Sequence, residues 1–275
     1  MTIDNNVQYN PGYVNANQAL ERIATGLKLN SAADDAASLA ISENLDVEAS
    51  GISQSVENVN SALALTQIGD KAISEQSNLL DGIKENLLQA STGTTSQEGR
   101  DALLQDIKKS LEQLNNIAEQ TNYNGQNLLQ ASATDTSSSD GLQVQAGTTA
   151  EDLIESEGVQ ANTEGLGLNG LLNLDPTTFT ADTARDFLDD VDDAITQLND
   201  VRGEFGTTAN QLESSSRSLA TQYTNTREAE SILSNIDFAS EVSNFSKQNI
   251  LAQVGAFGQA QSANITQQTV LRLLQ

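Results

Sequence analysis

The chain has 275 residues and a formal net charge of −25, and it contains no histidine, cysteine or tryptophan. Without histidine or cysteine it lacks an imidazole base, a thiol nucleophile and the usual zinc ligands, so we expect neither an enzyme nor a bound metal or cofactor. The negative charge also disfavours nucleic acid and anionic membranes as partners, and no apolar run is long enough to span a bilayer.

The net charge is unevenly distributed along the chain. In residues 1–31, and again in residues 234–275, acidic and basic side chains cancel, so the whole net charge lies in residues 32–233. Neutral ends around an acidic middle suggest that the ends pack while the middle faces water. The N-terminal residues MTIDNNVQYNPGY also lack the basic and apolar regions of a cleaved secretory signal.

The N-terminal segment carries a short amphipathic pattern, Leu20, Ile23 and Leu27, followed by the adjacent carboxylates Asp34 and Asp35. Adjacent side chains on a helix point about 100° apart. The two aspartates therefore do not converge on a metal ion, and we interpret them as the acidic start of a helix.

Three longer stretches have apolar residues at alternating steps of three and four, which predicts helices that pack along one narrow seam. The first seam comprises Ile52, Val56, Val59 and Leu63 and resumes at Ile73, Leu80, Ile83 and Leu87. The second comprises Leu104, Ile107, Leu111, Leu114 and Ala118, and the third extends from Leu188 to Tyr223. Seams this narrow predict a slender bundle rather than a globular domain.

Between the second and third seams the helical period is lost. Asn124-Gly125 is a strong turn signal that we interpret as the stop of the second helix. The alternation from Leu142 to Gln145 predicts a short strand, and the glycines of EGLGLNGL predict turns. We expect a small, mixed insert that faces water.

The C-terminal segment is again sparsely amphipathic. Its apolar positions are Phe238, Val242, Phe245, Ile250, Val254, Phe257, Val270, Leu273 and Leu274. The two terminal segments have no evident partner within one chain except each other. Two interpretations remain open: a helical hairpin formed by the ends, or ends that become ordered only against neighbouring copies.

Four motifs occur in order along the chain: ALERIATGLKLNSAADDAASLAI from Ala19, QTNYNGQNLL from Gln120, RGEFGTTANQL from Arg202 and DFASEVSNFSKQNILAQ from Asp237. Together with the final VLRLLQ they closely resemble the motifs of a bacterial flagellin, the subunit of the flagellar filament. The matched positions include Asn30, Asp34, Asp35, Asn124, Gly125, Arg202, Gly206 and Asn210. The resemblance covers nearly the whole chain except the acidic insert.

The resemblance implies a mainly α fold, an elongated antiparallel helical bundle with coiled-coil-like terminal helices and a small β-containing insert. It divides the chain into an N-terminal inner-core helix with its connecting spoke (1–37), outer-core N-terminal helices (38–130), a short acidic surface insert with a β-hairpin (131–182), an outer-core C-terminal helix (183–233) and a C-terminal inner-core helix (234–275). The large outer domains of many flagellins are absent from this sequence, so it resembles a minimal flagellin.

The function implied is that of a structural subunit that polymerises through the apolar positions of its terminal segments into an extracellular filament for motility. Export by the flagellar type III system would explain why no signal peptide is found. The implied partners are copies of the chain itself and the export chaperone, hook-junction and cap proteins. The alternative is a hook–filament junction protein, which shares the terminal helices.

The family also has a face that contacts a Toll-like receptor as well as neighbouring subunits. Our alignment places the central arginine of this face at Gly82, with Lys84 and Glu85 nearby. The resemblance therefore implies a receptor or lattice face that has lost its arginine.

Overall fold

The computed structural model describes residues 11–130 and 132–273, and these are mainly helical. The helices are α1 (Pro11–Thr25), α2 (Ala32–Ala90), α3 (Gln97–Gln120), the short α4 (Asn169–Leu172), α5 (Ala181–Ser234) and α6 (Phe238–Leu273), with a 3₁₀ turn at Pro176–Thr178. Two antiparallel pairs comprise β1 (Asn122–Tyr123) with β2 (Gln126–Asn127) and β3 (Gln143–Gln145) with β4 (Leu153–Glu155). The predicted mainly α fold with a small β-containing insert is confirmed.

The described residues form two compact units. The middle unit comprises Ser50–Tyr223, and the terminal unit comprises the described residues up to Ala49 together with those from Thr224 onward. The long helices α2 and α5 contribute to both units. No helix among the described residues combines the length and apolarity needed to cross a membrane.

The main core of the middle unit lies along the predicted seams of α2, α3 and α5. The fully buried seam residues of α2 and α3 are Ile73, Leu80, Ile83, Leu87, Leu104, Ile107, Leu111, Leu114 and Ala118. α3 begins where the side chain of Ser96 accepts a hydrogen bond from the N–H of Gly99 at 3.1 Å. It ends at Gln120, where the hydroxyl of Thr121 donates to the carbonyl of Ile117 at 2.6 Å. The three- and four-residue spacing thus positions the core side chains.

The insert between α3 and α5 differs from the expectation of a wholly water-facing segment. Leu168, Leu171 and Phe179 are fully buried in the main core of the middle unit. Narrow helical seams leave one side of a core open, and apolar side chains of the insert cover that side. Its acidic side chains Glu151, Asp152 and others remain exposed.

Buried amide side chains fasten the insert to the helices. The side-chain N–H groups of Gln76 on α2 donate to the carbonyls of Leu114 at 3.0 Å and Ala161 at 2.9 Å. Asn115 on α3 exchanges two hydrogen bonds with Thr163, at 3.0 and 2.9 Å. Because buried polar groups need hydrogen-bond partners, these bonds fix the position of the insert on the bundle.

The two hairpins cover different parts of the middle unit. Val144 of β3 and Ile154 of β4 are paired in register and pack in a second core cluster with Ile52 and Leu212. β1 and β2 are joined by Asn124 (φ 51°) and Gly125 (φ 83°), whose positive φ values suit the two-residue turn of a tight hairpin. The Asn-Gly pair predicted as a helix stop thus follows the end of α3 and forms the tip of a hairpin.

In the terminal unit the two terminal helices pack against each other, which was one of the two interpretations left open by the sequence. α1 packs against α6, and Ala16, Ala19 and Ala252 are buried. The segments that connect these helices to α2 and α5 also pair: Leu27 and Asn235 form an antiparallel β-bridge. The N–H of Lys28 donates to the carbonyl of Ser234 at 2.6 Å, so the two connecting segments hold one another.

Candidate functional site

Large apolar side chains are exposed along α6 in the terminal unit. We call six of them the α6 row: Phe238, Val242, Ile250, Val254, Phe257 and Ile265. Phe257 is 79% exposed and Val254 is 61% exposed. Ala252 is fully buried, and at about 100° per residue it lies on the opposite side of the helix from Ile250, Val254 and Phe257. Contiguous exposed apolar surface is typical of protein–protein contact sites.

The positions that the sequence predicts for polymerisation are mostly exposed. The exposed ones are Leu20, Leu27, Phe238, Val242, Ile250, Val254 and Phe257. Ile23 and Phe245 are half-buried. The described side chains do not include those of Val270 and Leu273, and Leu274 lies outside the described residues. The role of all these positions in polymerisation stays a prediction.

Three exposed apolar residues of the terminal unit, on α2 and α5, were not singled out from the sequence. Val47 on α2 and Ile232 on α5 are 72% and 73% exposed, and Ile41 on α2 is also exposed. Val47 and Ile232 lie off the apolar seams of their helices, and that displacement is the signal that could have identified them. They extend the apolar surface of the terminal unit beyond α1 and α6.

The start of α6 is fixed by a cap and a close contact. The carboxylate of Asp237 accepts hydrogen bonds from the N–H groups of Ala239 at 3.0 Å and Ser240 at 3.3 Å. Gly26 (φ 74°) ends α1, and a methyl group built on it would lie 3.8 Å from Cζ of Phe238. A capped helix next to a left-handed glycine positions the first member of the α6 row against the end of α1.

Arg22 forms two charge contacts in the terminal unit. Its guanidinium lies 3.5 Å from a carboxylate oxygen of Asp34 and 3.9 Å from one of Glu241. Asp34 also accepts hydrogen bonds from the backbone N–H groups of Asn30 at 3.1 Å and Ser31 at 3.0 Å. These backbone bonds, with Arg22 as a smaller cause, lower the pKa of Asp34. The arginine thus links α1 to the first turn of α2 and to α6.

Asp35 has a different role from its neighbour. Its backbone is extended (φ −165°, ψ 100°), and its carboxylate accepts from the N–H groups of Ala37 and Ser38, each at 3.1 Å. The hydroxyl of Ser38 donates to it as well, at 2.7 Å, and is the first cause that lowers the pKa of Asp35. Asp35 is therefore the N-cap of the continuous part of α2.

The remaining motif positions lie in the middle unit. Asn124 and Gly125 form the β1–β2 turn. Arg202 on α5 donates from Nε to the carboxylate of Asp70 on α2 at 3.2 Å. Gly206 and Asn210 are exposed on α5. The structure therefore does not bring the motif positions into one site; they hold separate turns and helix pairs.

The predicted receptor or lattice face lies on α2. Gly82 and Glu85 are exposed, and no atom lies within 4 Å of a methyl group built on Gly82. Lys84 forms an ion pair with Asp192 on α5. The ammonium of Lys84 is therefore engaged within the subunit, while Gly82 leaves its part of the surface bare.

The described part of the chain has several apolar surfaces that could contact another molecule. It contains no group of three or more Asp or Glu side chains placed to hold a metal ion. A cavity of about 780 Å³ on the middle unit is lined by Ile68, Phe205 and Ala209 among others, and mostly by apolar surface. An exposed apolar row on a capped helix favours association with another protein surface.

Two family models match the chain. The bacterial flagellin N-terminal helical region matches residues 3–134, and the bacterial flagellin C-terminal helical region matches residues 188–274. The chain is 30% identical to a flagellin of Halalkalibacterium halodurans over 264 residues, which cover 95% of this chain and 93% of that protein. It is 30% identical to a flagellin of Bacillus subtilis in an alignment 279 positions long, which covers 93% of this chain and 91% of that protein.

Solved structures show the same fold. The crystal structure of Bacillus cereus flagellin aligns with a TM-score of 0.51 and 25% identity, over 63% of this chain and 94% of that one. A protein of Vibrio parahaemolyticus described as flagellar hook-associated aligns with a TM-score of 0.59 over 73% of this chain and 99% of that one. At 15% identity, the second alignment supports the fold alone.

Proposed function

The chain belongs to the bacterial flagellin family, and we propose that it is a structural subunit of the flagellar filament that polymerises through its terminal unit. The observation that carries the proposal is the α6 row, whose side chains are exposed although they are large and apolar. Burying a Val, Ile or Phe side chain contributes about 1.5–3 kcal/mol, so a few such contacts between neighbouring copies supply substantial association energy.

The charge distribution supports this choice of surface. Acidic and basic residues cancel in residues 1–31 and 234–275, which include α1 and α6. Copies can therefore approach through these helices without net repulsion, while the acidic middle segment keeps the subunit soluble. A filament that grows without closing needs two different complementary patches on each subunit. The α6 row and the exposed pair Val47 and Ile232 are candidates for two such patches.

The finer assignments follow from family membership. Flagellins are structural proteins that form the extracellular filament, and on that ground we assign this chain no catalytic activity and no cofactor. Its export by the flagellar type III system, and its contacts with an export chaperone, with hook-junction proteins and with a cap protein, are proposed by resemblance alone. The flagellins at 30% identity span nearly the whole chain, so they favour the filament subunit over the junction protein.

The proposal is tested by placing charge in the α6 row. The double variant Ile250→Asp, Val254→Asp should remain a folded monomer and lose sedimentable filaments, because two carboxylates would have to be buried at the contact. The matched control, Ser214→Asp, Ser218→Asp, adds the same charge at exposed positions of α5 in the middle unit and should still polymerise. Circular dichroism checks the fold, and pelleting with negative-stain microscopy measures filaments.

The two variants separate the possible outcomes. Filaments from the α6 variant at the wild-type yield would show that the row is not an assembly surface. Loss of filaments in both variants would mean that added charge, and not its position, prevents assembly, and the proposed surface would also be wrong.

A further inference from the structure

We propose that Asn124 is a site of spontaneous deamidation, at which the side-chain amide is lost as ammonia and a carboxylate appears on the surface of the middle unit. The dipeptide Asn-Gly occurs twice in the chain, at Asn124-Gly125 and at Asn169-Gly170. The two sites have the same dipeptide but differ in burial and in the hydrogen bonds of the asparagine side chain. The structure thereby assigns the reaction to Asn124, and Asn169 serves as the comparison within the same chain.

The reaction needs only water. The backbone nitrogen of Gly125, after losing its proton to hydroxide, attacks Cγ of Asn124, so that an N–Cγ bond forms and the Cγ–Nδ2 bond breaks. The nitrogen leaves as ammonia after taking a proton from water, and a five-membered succinimide remains. Water then adds to one ring carbonyl and the C–N bond there breaks, which gives aspartate or, through the other carbonyl, isoaspartate. No atom is oxidised or reduced, and glycine favours the attack because it has no Cβ beside the nitrogen.

The side chain of Asn124 and the backbone nitrogen of Gly125 are not restrained by hydrogen bonds to other described residues. Asn124 and Gly125 are both exposed at the tip of the β1–β2 hairpin. Among the described residues, neither the Asn124 side chain nor the Gly125 N–H forms a hydrogen bond. The hairpin has the pairs Asn122–Asn127 and Tyr123–Gln126 and one further backbone bond below them, from the N–H of Leu128 to the carbonyl of Thr121 at 3.0 Å. A two-stranded hairpin of this size is marginally stable. The turn can therefore open locally at little cost and allow the nitrogen to reach Cγ.

At Asn169 the same dipeptide is fixed. Asn169 is half-buried at the start of α4, and its Nδ2 donates to a carboxylate oxygen of Glu164 at 2.5 Å. Its Oδ1 accepts from the side chain of Asn173 at 2.7 Å, and its backbone carbonyl accepts from the N–H of that residue at 3.1 Å. The side chain must break these bonds before its Cγ can turn towards the nitrogen of Gly170. Losing even the one to the carboxylate costs about 1.5–3 kcal/mol, which slows the reaction roughly tenfold or more.

The product would change the surface around the hairpin. Asn124 lines a cavity of about 550 Å³ together with Asp135 and Asp140. A carboxylate at residue 124 would add a third negative charge to this cavity, on a chain whose net charge is already −25. Isoaspartate would also lengthen the main chain by one methylene group, so the register of the two-residue turn could not be kept. We expect the modified hairpin to open and to expose more of Tyr123.

The test follows both asparagines in one peptide. The full-length protein is incubated as a monomer at mildly alkaline pH, with and without urea, and is then digested with trypsin. Residues 110–185 form one tryptic peptide that contains both Asn-Gly pairs. Tandem mass spectrometry measures conversion at each pair. In the native protein we expect Asn124 to convert at least about tenfold faster than Asn169. In urea the two rates should converge.

Two variants give matched controls. Asn124→Gln lengthens the side chain and disfavours the five-membered ring, so it should remove the acidic species seen on isoelectric focusing, whereas Asn169→Gln should leave that species unchanged. Equal native rates at the two pairs would overturn the proposal, and so would faster conversion at Asn169. It would also be wrong if the native protein stayed unmodified at Asn124 under conditions in which the urea-treated chain converts at both pairs.

Discussion

Gly69 and Gly82 lie on the same helix, α2, and replacing each by alanine should change stability in opposite directions. A methyl group built on Gly69 would lie 2.6 Å from Cε2 and 3.0 Å from Cζ of Phe205, which is itself buried on α5. A methyl group on Gly82 meets no atom within 4 Å. Both substitutions replace glycine by alanine on the same helix, and they differ only in the atoms that the added methyl group contacts.

The expected magnitudes follow from two opposing effects. Alanine in place of glycine within a helix contributes about 0.5–1 kcal/mol of stability. Forcing an extra methyl group into a packed contact costs about 1–3 kcal/mol. Gly82→Ala should therefore raise the free energy of unfolding by up to about 1 kcal/mol, whereas Gly69→Ala should lower it by up to about 2 kcal/mol.

Urea unfolding followed by circular dichroism measures the difference. At a slope of about 2 kcal/mol per molar, a gap of 1–3 kcal/mol separates the two midpoints by roughly 0.5–1.5 M. In a Phe205→Leu background, which removes the ring, the cost of Gly69→Ala should shrink, and a double-mutant cycle gives the coupling. If Gly69→Ala were as stabilising as Gly82→Ala, the contact between Gly69 and Phe205 would not be close-packed and the reasoning would fail.

Three further predictions concern assembly, receptor recognition and pH. Each subunit has a net charge of −25, so the critical concentration for polymerisation should fall as sodium chloride rises. The screening length shrinks from about 10 Å at 0.1 M to about 3 Å at 1 M, and a critical concentration that does not change with salt would contradict this prediction. Gly82 offers no guanidinium, so reporter cells for the flagellin-sensing Toll-like receptor should respond weakly, and Gly82→Arg should strengthen the response. Full potency of the wild type, unchanged by Lys84→Ala, would show that this face is not used. The pKa of Asp35 lies below its ordinary value of 3.8. The stability that this carboxylate contributes to the fold is therefore fully present above pH 3.8, and it is lost as the pH falls through the lowered pKa. Asp35→Asn keeps an N-cap side chain that does not titrate. Acid unfolding of this variant, followed by circular dichroism, should therefore depend less on pH than that of the wild type. Identical unfolding profiles for the two proteins would count against the role of Asp35 as a cap.

The helices of the core could be predicted from the sequence because their seams are regular. Ile73, Leu80, Leu104 and Leu111 are apolar residues at helical steps in stretches rich in polar residues, and each is fully buried. A regular spacing of this kind can be recognised without knowing the partner helix, because only one side of each helix is buried. The positions of the α6 row were found in the same way, except Ile265, which the sequence analysis did not name.

The contacts of polar side chains could not be predicted. Gln76 and Asn115 are fully or almost fully buried, although residues of these types are mostly exposed in proteins and nothing in their spacing marks them. The contact of Arg22 with Glu241 joins opposite ends of the chain, and a pattern within one helix contains no information on such pairs. Likewise the burial of Phe179 depends on an opening between helices that only the assembled core reveals.

The second core cluster, in which β3 and β4 pack with α2 and α5, determines how early during synthesis this part of the chain can fold. It joins Ile52 and Val59, early in the chain, to Leu212 and Leu219, near the end of the middle unit. In the same way α1 packs against α6, which lies at the opposite end of the chain. Contacts between residues so distant in sequence close large loops and form slowly. During synthesis, Ile52 and Val59 of α2 would therefore lack these packing partners until the second half of α5 has emerged from the ribosome. Truncation of α5 before Leu212 should destabilise the early part of α2 as well as α5.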